Sequence, residues 1–508
     1  MASRFVLLIL DGWGIGKNWG GNAILVANTK NYNRLIREYP NTTIAASGTD
    51  VGLPGHEVGN SEVGHMNLGA GRIVEQDVSL INKKIANGLF YKNKILKDTI
   101  LRSKENNTTL HLIGIISDGG IHSHINHLFA LLKIAKGIGH KKVMIHAFTD
   151  GRDTSTLKGL EFINKIQYAC DQMETGKIAT ICGRIFLDRK GNWGRTKIAY
   201  EAIVDGIGIK QKDPKSAVSN AYRNGQTDEY IIPQIIKNNY QKMRDNDAVI
   251  FFNFRSDRTR QLTQVFLDEK FNEFKRRILN NLDFVTFIPY GVEMEIKSPA
   301  KTAFGSNIIN NTLTSFVANQ NKKQIHIAET EKFAHVTYFF NGNKNDYFKG
   351  EERVLVPSPD VGSYANVPEM SLQKVTESLV RSIKRKEHHF MLCNFANGDM
   401  VGHTGDFKAA LLAVEAIDNH LNDVVRACLD NETKLIITAD HGNIEQMVDP
   451  ETGQPDPEHT NNPVPLILVT DSNNKALIEG GRLANVAATL LQFSQNEIPD
   501  YFERGLIA

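Results

Sequence analysis

Residues 434–443 read KLIITADHGN. A run rich in β-branched residues stops at an aspartate and a histidine, followed by glycine and asparagine. Apolar runs of this length, bounded by turn residues, read as buried β-strands. Asp440 and His441 then stand where the strand leaves the core. Two ionisable groups there are costly unless paired or coordinated. The stretch sets two expectations: a strand in a buried sheet, and a polar site at its carboxyl end.

The same grammar recurs along the chain. Apolar runs FVLLIL (5–10), TLHLIGII (109–116), KVMIHAF (142–148), KIATICG (177–183), AVIFFNF (248–254), HFMLCNF (389–395) and PLILVT (465–470) are spaced by helix-like stretches such as INHLFALLKIAKGIG (125–139) and FKAALLAVEAIDNHLNDVVRACL (407–429). Alternation of this kind specifies an α/β protein with mainly parallel sheets. In such folds the ligand crevice lies at the carboxyl ends of the strands. The polar loops LDGWG, SDGGIHSH, TDGRD, CGRIFLDR, NFRSDR, NFANGDMVGH and TADHGN all follow these runs. LDGWG, NGDMVGH and TADHGN, rich in Asp and His, come from the two ends of the chain. The loops that add arginine come from the middle. The expected organisation is one α/β domain, residues 1–76 and 308–508, interrupted by a second α/β domain, residues 77–307.

Bulk properties agree with an ordinary globular protein. The chain has 508 residues, too many for one core, with 41% hydrophobic and 23% charged residues. Its 59 basic and 57 acidic residues give a net charge of +2. That near-balance argues against a nucleic-acid partner. The longest N-terminal apolar run, six residues before Asp11, is too short for a leader or a membrane span. Four scattered cysteines form no C-x-x-C pair and read as buried reduced thiols. A soluble, cytoplasmic protein is expected.

Asp399 and His403 have D-x-x-x-H spacing, which puts both on one face of a helix. With Asp11, Asp440, His441 and the loop histidine His459, they form a carboxylate–imidazole set without thiolates. Such sets suit Mn²⁺, Zn²⁺ or Mg²⁺. Taken singly, Asp11 reads as a turn, His459 as a surface histidine and Asp399/His403 as a solvated helix face; their joint placement after strands favours a site. The middle loops carry His122, Arg152, Asp153, Arg184, Arg189, Arg255 and Arg258. Arginine's planar fork matches carboxylate and phosphate oxygens, so the cluster suggests a small polyanion. The competing reading pairs each arginine with Asp150, Asp188 or Asp257. Lys332, in AETEKFAHVTYFF, reads locally as an exposed lysine. Ser61, in HEVGNSEVGHMNLGAGR (56–72), lies among glycines but in neither G-x-S-x-G nor a Walker A loop, and reads locally as a turn residue.

Taken together, LDGWG, GNSEVGHMNLGAGR, SDGGIHSH, TDGRDT, FFNFRSDR, HIAETEKFAHVTYFFNG, NGDMVGHTG and TADHGN make the chain resemble, along nearly its whole length, the cofactor-independent phosphoglycerate mutases of the alkaline phosphatase superfamily. The resemblance implies an alkaline-phosphatase-like metal-binding domain interrupted by a phosphotransferase domain. It implies one ion held by Asp399, His403 and His459, and another by Asp11, Ser61, Asp440 and His441. Ser61 would carry the phosphoryl group. His122, Arg152, Asp153, Arg184, Arg189, Arg255, Arg258 and Lys332 would bind the phosphoglycerate. Two departures fall in CGRIFLDRKGNWGRT: one residue fewer between Arg184 and Arg189, and Asn192 where the family usually has arginine. They weaken the case for Arg189.

The implied reaction interconverts 3-phosphoglycerate and 2-phosphoglycerate, in glycolysis and gluconeogenesis, by way of phospho-Ser61. It uses two divalent ions, with Mn²⁺ favoured over Zn²⁺, Mg²⁺ or Co²⁺, and no 2,3-bisphosphoglycerate. Asp153 is the candidate for proton transfer. Arg255 and Arg258 are assigned to the phosphate end, and Arg152 or Arg184 to the carboxylate. A monomer is expected, with hinges near 76–80 and 298–308 that let ligand draw the domains together. The rival readings are another metal-dependent phosphatase or phosphomutase of the superfamily, and a non-catalytic anion binder.

Overall fold

The computed structural model describes residues 3–55, 57–291, 300–305, 308–470 and 476–508. The chain divides into two compact units, Met1–Gln76 with Asn307–Ala508, and Asp77–Ser306. Both are α/β, as the alternation of apolar runs and amphipathic helices predicts.

The first unit is built on eight strands among the described residues, in the order β12 (Glu351–Val356), β11 (Gln324–Glu329), β13 (Phe390–Phe395), β1 (Phe5–Leu10), β14 (Lys434–Thr438), β15 (Val464–Val469), β2 (Asn41–Ala45) and β16 (Gly481–Arg482). The five strands from β12 to β14 are parallel. β15 runs antiparallel to both β14 and β2. The central strands are buried along their whole length, so their sequences are unbroken apolar runs rather than alternations. Helices such as Leu372–Arg385 and Phe407–Asp430 bury their apolar sides in the same core.

The second unit has the order β10 (Lys301–Thr302), β9 (Asp283–Thr286), β8 (Ala248–Phe251), β3 (Leu110–Ile115), β4 (Val143–Thr149), β5 (Lys177–Gly183), β7 (Gln234–Ile236) and β6 (Ile209–Gln211). Among the described residues only the β5–β7 pair is antiparallel. Successive side chains point to opposite faces of a strand. Leu110 and Leu112 accordingly join one core, and Ile113 and Ile115 another on the other face.

One local expectation changes. Residues 61–70 are not a turn but a helix, capped by the Asn60 side chain at Val63 N. Residues 77–86, which include most of the first segment expected to hinge, are helical. Of the segment 298–308, residues 298, 299, 306 and 307 lie outside the described residues, while Lys301–Thr302 pair with β9. The four cysteines are free and buried. No helix among the described residues is long and apolar enough to cross a membrane.

Candidate active site

Strand order explains how distant segments of the first unit converge. β11, β13, β1 and β14 are consecutive and parallel, so their carboxyl ends share one edge. From those ends come Lys332, Asp399 with His403, Asp11, and Asp440 with His441. Because β15 is antiparallel, its beginning lies at the same edge, and the segment leading into it carries His459. β2 is antiparallel to β15 and so ends there too; the chain beyond it leads to Ser61.

Ser61 is the first residue of its helix and is buried. Its Oγ lies 2.9 Å from His441 Nε2 and donates to Asp11 Oδ1 at 3.1 Å. Lys332 Nζ donates to Ser61 Oγ at 2.7 Å, and contacts Asp11 Oδ1 at 2.7 Å and Asp399 Oδ2 at 2.5 Å. Lys332 is only 3% exposed, which overturns its reading as an ordinary surface lysine. Burial disfavours its charge, but Asp11, Asp399 and Asp440 outweigh that and push its pKa up. Burial also opposes ionisation of Asp399, but Lys332 and contacts from His403 and His459 hold its carboxyl well below the usual range. Burial, reinforced by Asp440, raises Asp11. Burial lowers the His441 imidazole.

Around Asp399 Oδ1, His459 Nε2 stands at 3.0 Å and His403 Nε2 at 3.2 Å, and the two nitrogens are 3.0 Å apart. Each ring's Nδ1 faces a backbone carbonyl at 2.8 Å, Pro457 O for His403 and Gly59 O for His459. Those carbonyls accept the Nδ1 protons, so both Nε2 lone pairs converge on one carboxylate oxygen. That arrangement suits a cation and is typical of imidazole ligands with an outer carbonyl partner. Three groups of converging donors occur among the described residues: Asp399/His403/His459, Asp11/Asp399/His441 and Asp11/His65/Asp440. Asp11, Asp399 and Asp440 are all buried, Lys332 is a cation beside them, and among the described residues buried Asp440 Oδ2 accepts no hydrogen bond. A site so short of positive charge fits divalent cations.

The second unit gathers the arginine loops in the same way. β8, β3, β4 and β5 are consecutive and parallel, and end in NFRSDR, SDGGIHSH, TDGRD and CGRIF. Arg184, buried, bonds Asp150 and Asp153, the latter at 2.5 Å. His122 lies 3.2 Å from Asp257 and 3.7 Å from Asp153. Arg189 binds Asp257 at 2.6 Å, and Arg255 Nε lies 3.7 Å from the same carboxylate. Burial opposes ionisation of Asp257, but His122, Arg189 and Arg255 hold its carboxyl well below the usual range. Arg152 faces Glu229 at 3.8 Å. Arg258 is buried and its Nη1 donates to Leu187 O at 3.2 Å, with no ion pair among the described residues. Burial and the neighbouring arginines lower it to about 10. A buried guanidinium among other cations is suited to an anion.

Comparison with known proteins decides the family. A family model for the BPG-independent PGAM N-terminus matches residues 81–292. The 2,3-bisphosphoglycerate-independent phosphoglycerate mutase of Clostridioides difficile (strain 630) is 45% identical over 505 residues, covering 98% of each chain. That of Thermomicrobium roseum is 46% identical over 497 residues, covering 96% of this chain and 94% of its own. The chain belongs to the 2,3-bisphosphoglycerate-independent phosphoglycerate mutases. A crystal structure of Leishmania mexicana phosphoglycerate mutase at low cobalt concentration superimposes with a TM-score of 0.75 at 30% identity, covering 100% of this chain and 98% of its own. The protein is thus a phosphoglycerate mutase, an isomerase.

In this mutase every expected residue of the Asp/His set, with Ser61 and Lys332, lies in one cluster, and every expected arginine lies in the other. Arg189 joins its cluster despite the shorter loop. Asn192 caps the helix Trp193–Asp205 through Arg195 N at 3.2 Å, a local role for the unusual residue. Asp188 pairs with Arg195 rather than with the cluster. Sequence reasoning missed His65 and Asn394. His65 Nδ1 reaches Ser61 O at 2.9 Å and stands 3.2 Å from Asp440 Oδ2. Asn394 Nδ2 donates to Asp11 Oδ2 at 2.6 Å and touches His65 Nε2 at 3.0 Å. The i,i+4 spacing of Ser61 and His65 was the available signal. The glycines near Ser61 serve close packing. A β-carbon on Gly64 would stand 2.6 Å from Asp440 O, and one on Gly59 3.0 Å from His441 Cβ.

Proposed function

We propose that the chain interconverts 3-phosphoglycerate and 2-phosphoglycerate through phospho-Ser61, with two divalent ions and without 2,3-bisphosphoglycerate, as a cytoplasmic monomer. The observation that carries this reading is Ser61 Oγ held between Lys332 Nζ and His441 Nε2 on the first turn of a helix. Asp399, His403 and His459 would hold one ion; Asp11, Ser61, Asp440 and His441 would hold the other. The cobalt named for the Leishmania mexicana relative supports a divalent transition metal. Mn²⁺ is favoured, with Zn²⁺, Mg²⁺ and Co²⁺ as alternatives. Bound beside the serine, such an ion supplies Lewis-acid chemistry that lowers the hydroxyl pKa and offsets phosphoryl charge.

The residues supply the rest. Ser61 gives up its proton within the Asp11–His441 environment, and its Oγ attacks the phosphorus of 3-phosphoglycerate. The bond to the C3 oxygen breaks as that oxygen takes a proton from solvent by way of Asp153, whose carboxylate, paired with Arg184, ends the step ionised. Lys332 and the positive end of the serine helix stabilise the charge on the phosphoryl oxygens. Arg255 and Arg258 hold the phosphate end of the substrate, and Arg152 or Arg184 its carboxylate. Glycerate turns without leaving, Asp153 takes the C2 hydroxyl proton, and that oxygen recovers the phosphoryl group. Ser61 regains its proton.

The test is isomerisation by chelator-stripped enzyme without 2,3-bisphosphoglycerate. Activity should vanish on stripping and return at two Mn²⁺ per chain, with little free phosphate released. Full activity in stripped enzyme, or a strict need for 2,3-bisphosphoglycerate, contradicts the proposal.

A further inference from the structure

Glu445 lies four residues beyond His441 and is fully buried, yet it belongs to none of the converging donor groups. Its carboxylate is occupied by hydrogen bonds. Oε2 accepts from Gly14 N at 3.0 Å and Asn443 N at 2.8 Å. Oε1 accepts from the Thr460 hydroxyl and from Asn462 Nδ2 at 2.9 Å. These donors come from three segments: the loop after β1, the loop after β14 and the segment leading into β15. The same segments carry Asp11, Asp440 with His441, and His459.

The sequence makes room for this carboxylate. A β-carbon on Gly14 or Gly442 would collide with it, and one on Gly16 would stand 2.8 Å from Glu445 Cγ. Asp11 and Asp440 are anchored by the strands they follow. His459 has no such anchor; its segment meets the β14 loop through the isolated bridge between Gly442 and Thr460. With two donors on each oxygen, Glu445 is a poor ion ligand and a good clamp.

We propose that Glu445 is a positioning residue that fixes the His459 segment against the loops bearing Asp11 and His441, and so sets the geometry of the Asp399–His403–His459 ion. The inference rests on the two-ion reading above. In Glu445→Gln the amide oxygen can keep the Gly14 and Asn443 N–H groups, but the amide nitrogen then faces the Asn462 NH2, and the Thr460 hydroxyl must turn from donor to acceptor; the Asn462 bond and the charge that strengthens the whole set are lost. His459 then loses its register first, whereas Asp11, Asp440 and His441 keep the strands they follow.

The experiment titrates metal-free full-length wild type and Glu445→Gln with Mn²⁺ by calorimetry and with Co²⁺ by visible absorption. Wild type must bind two ions; if it does not, the two-ion reading fails whatever Glu445 does. In the variant, one ion should keep wild-type affinity, while the other weakens about 10–100-fold with an altered Co²⁺ band. Under limiting metal kcat should fall while KM for phosphoglycerate holds. Equal weakening of both ions, or of neither, in a folded variant overturns the proposal. Should Glu445→Gln not fold, Thr460→Val and Asn462→Ala each remove one donor and should weaken the same ion; unchanged isotherms in both overturn it too.

Discussion

Replacing Lys332 with methionine keeps the length of the side chain and removes its charge. The ammonium lies 2.7 Å from Asp11 Oδ1 and 2.5 Å from Asp399 Oδ2, in a site where Asp440 adds a third buried carboxylate. At an effective dielectric of about 20, each of those contacts is worth roughly 6 kcal/mol before desolvation. Desolvation cancels much of this, and removing one partner of a buried pair costs about 3–5 kcal/mol. The metal-free variant should therefore melt about 10 °C below wild type. Added Mn²⁺ should close much of that gap, because the ions restore positive charge beside the same carboxylates. Activity should not recover with it: Lys332 Nζ lies 2.7 Å from Ser61 Oγ, where it can stabilise the phosphoryl oxygens during transfer, and losing such a donor costs about 10²–10³ in kcat. Differential scanning calorimetry with and without Mn²⁺, paired with steady-state kinetics, reads both effects. A variant that melts like wild type without metal, or turns over within a factor of a few of wild type with it, refutes the argument.

Other perturbations separate the remaining parts. Arg184→Ala should lose both stability and activity, since it strips buried Asp150 and Asp153 of their guanidinium; Arg255→Ala, on a side chain 44% exposed, should chiefly raise KM. Equal thermal shifts for the two would contradict this. Gly64→Ala forces a β-carbon against Asp440 O and should cost about 1–3 kcal/mol by overpacking, visible in urea melts. Burial pushes the fully enclosed His127 imidazole down to about 3. Its unfolded value is near 6.5, so its contribution is fully present above that pH and is lost as pH falls toward 3. Urea midpoints should drop through that window, and His127→Gln should flatten the drop; an unchanged slope would show that His127 is not responsible. Small-angle scattering should change when phosphoglycerate and Mn²⁺ are added together, and identical profiles count against ligand-driven closure.

The fold was legible because both sheets are mostly parallel and buried. Burial on both faces turns strands such as β1 and β13 into unbroken apolar runs, and the polar residues after each run mark the carboxyl edge. Asp440 and His441 could thus be picked from KLIITADHGN alone. Lys332 could not, because a lysine on a short polar helix looks the same whether it faces water or three carboxylates. Ser61 was obscured for the opposite reason. Its glycines suggested a turn, whereas Gly64 keeps a helix close to the Asp440 backbone and Gly59 sits against His441. Glu445 and Asn394 were silent, since their partners are backbone and side-chain groups brought in from distant segments.

In the proposed reaction the phosphoryl group rests on Ser61 between the two oxygens of glycerate. Rapid acid quenching of Mn²⁺-loaded enzyme turning over 3-phosphoglycerate, followed by peptide mass spectrometry, tests it directly. One phosphoryl group should be found on Ser61, in the peptide containing HEVGNSEVGHMNLGAGR, and none in Ser61→Ala, which should be folded and inactive. An unmodified Ser61 peptide from enzyme quenched during turnover, or full turnover by Ser61→Ala, would contradict it.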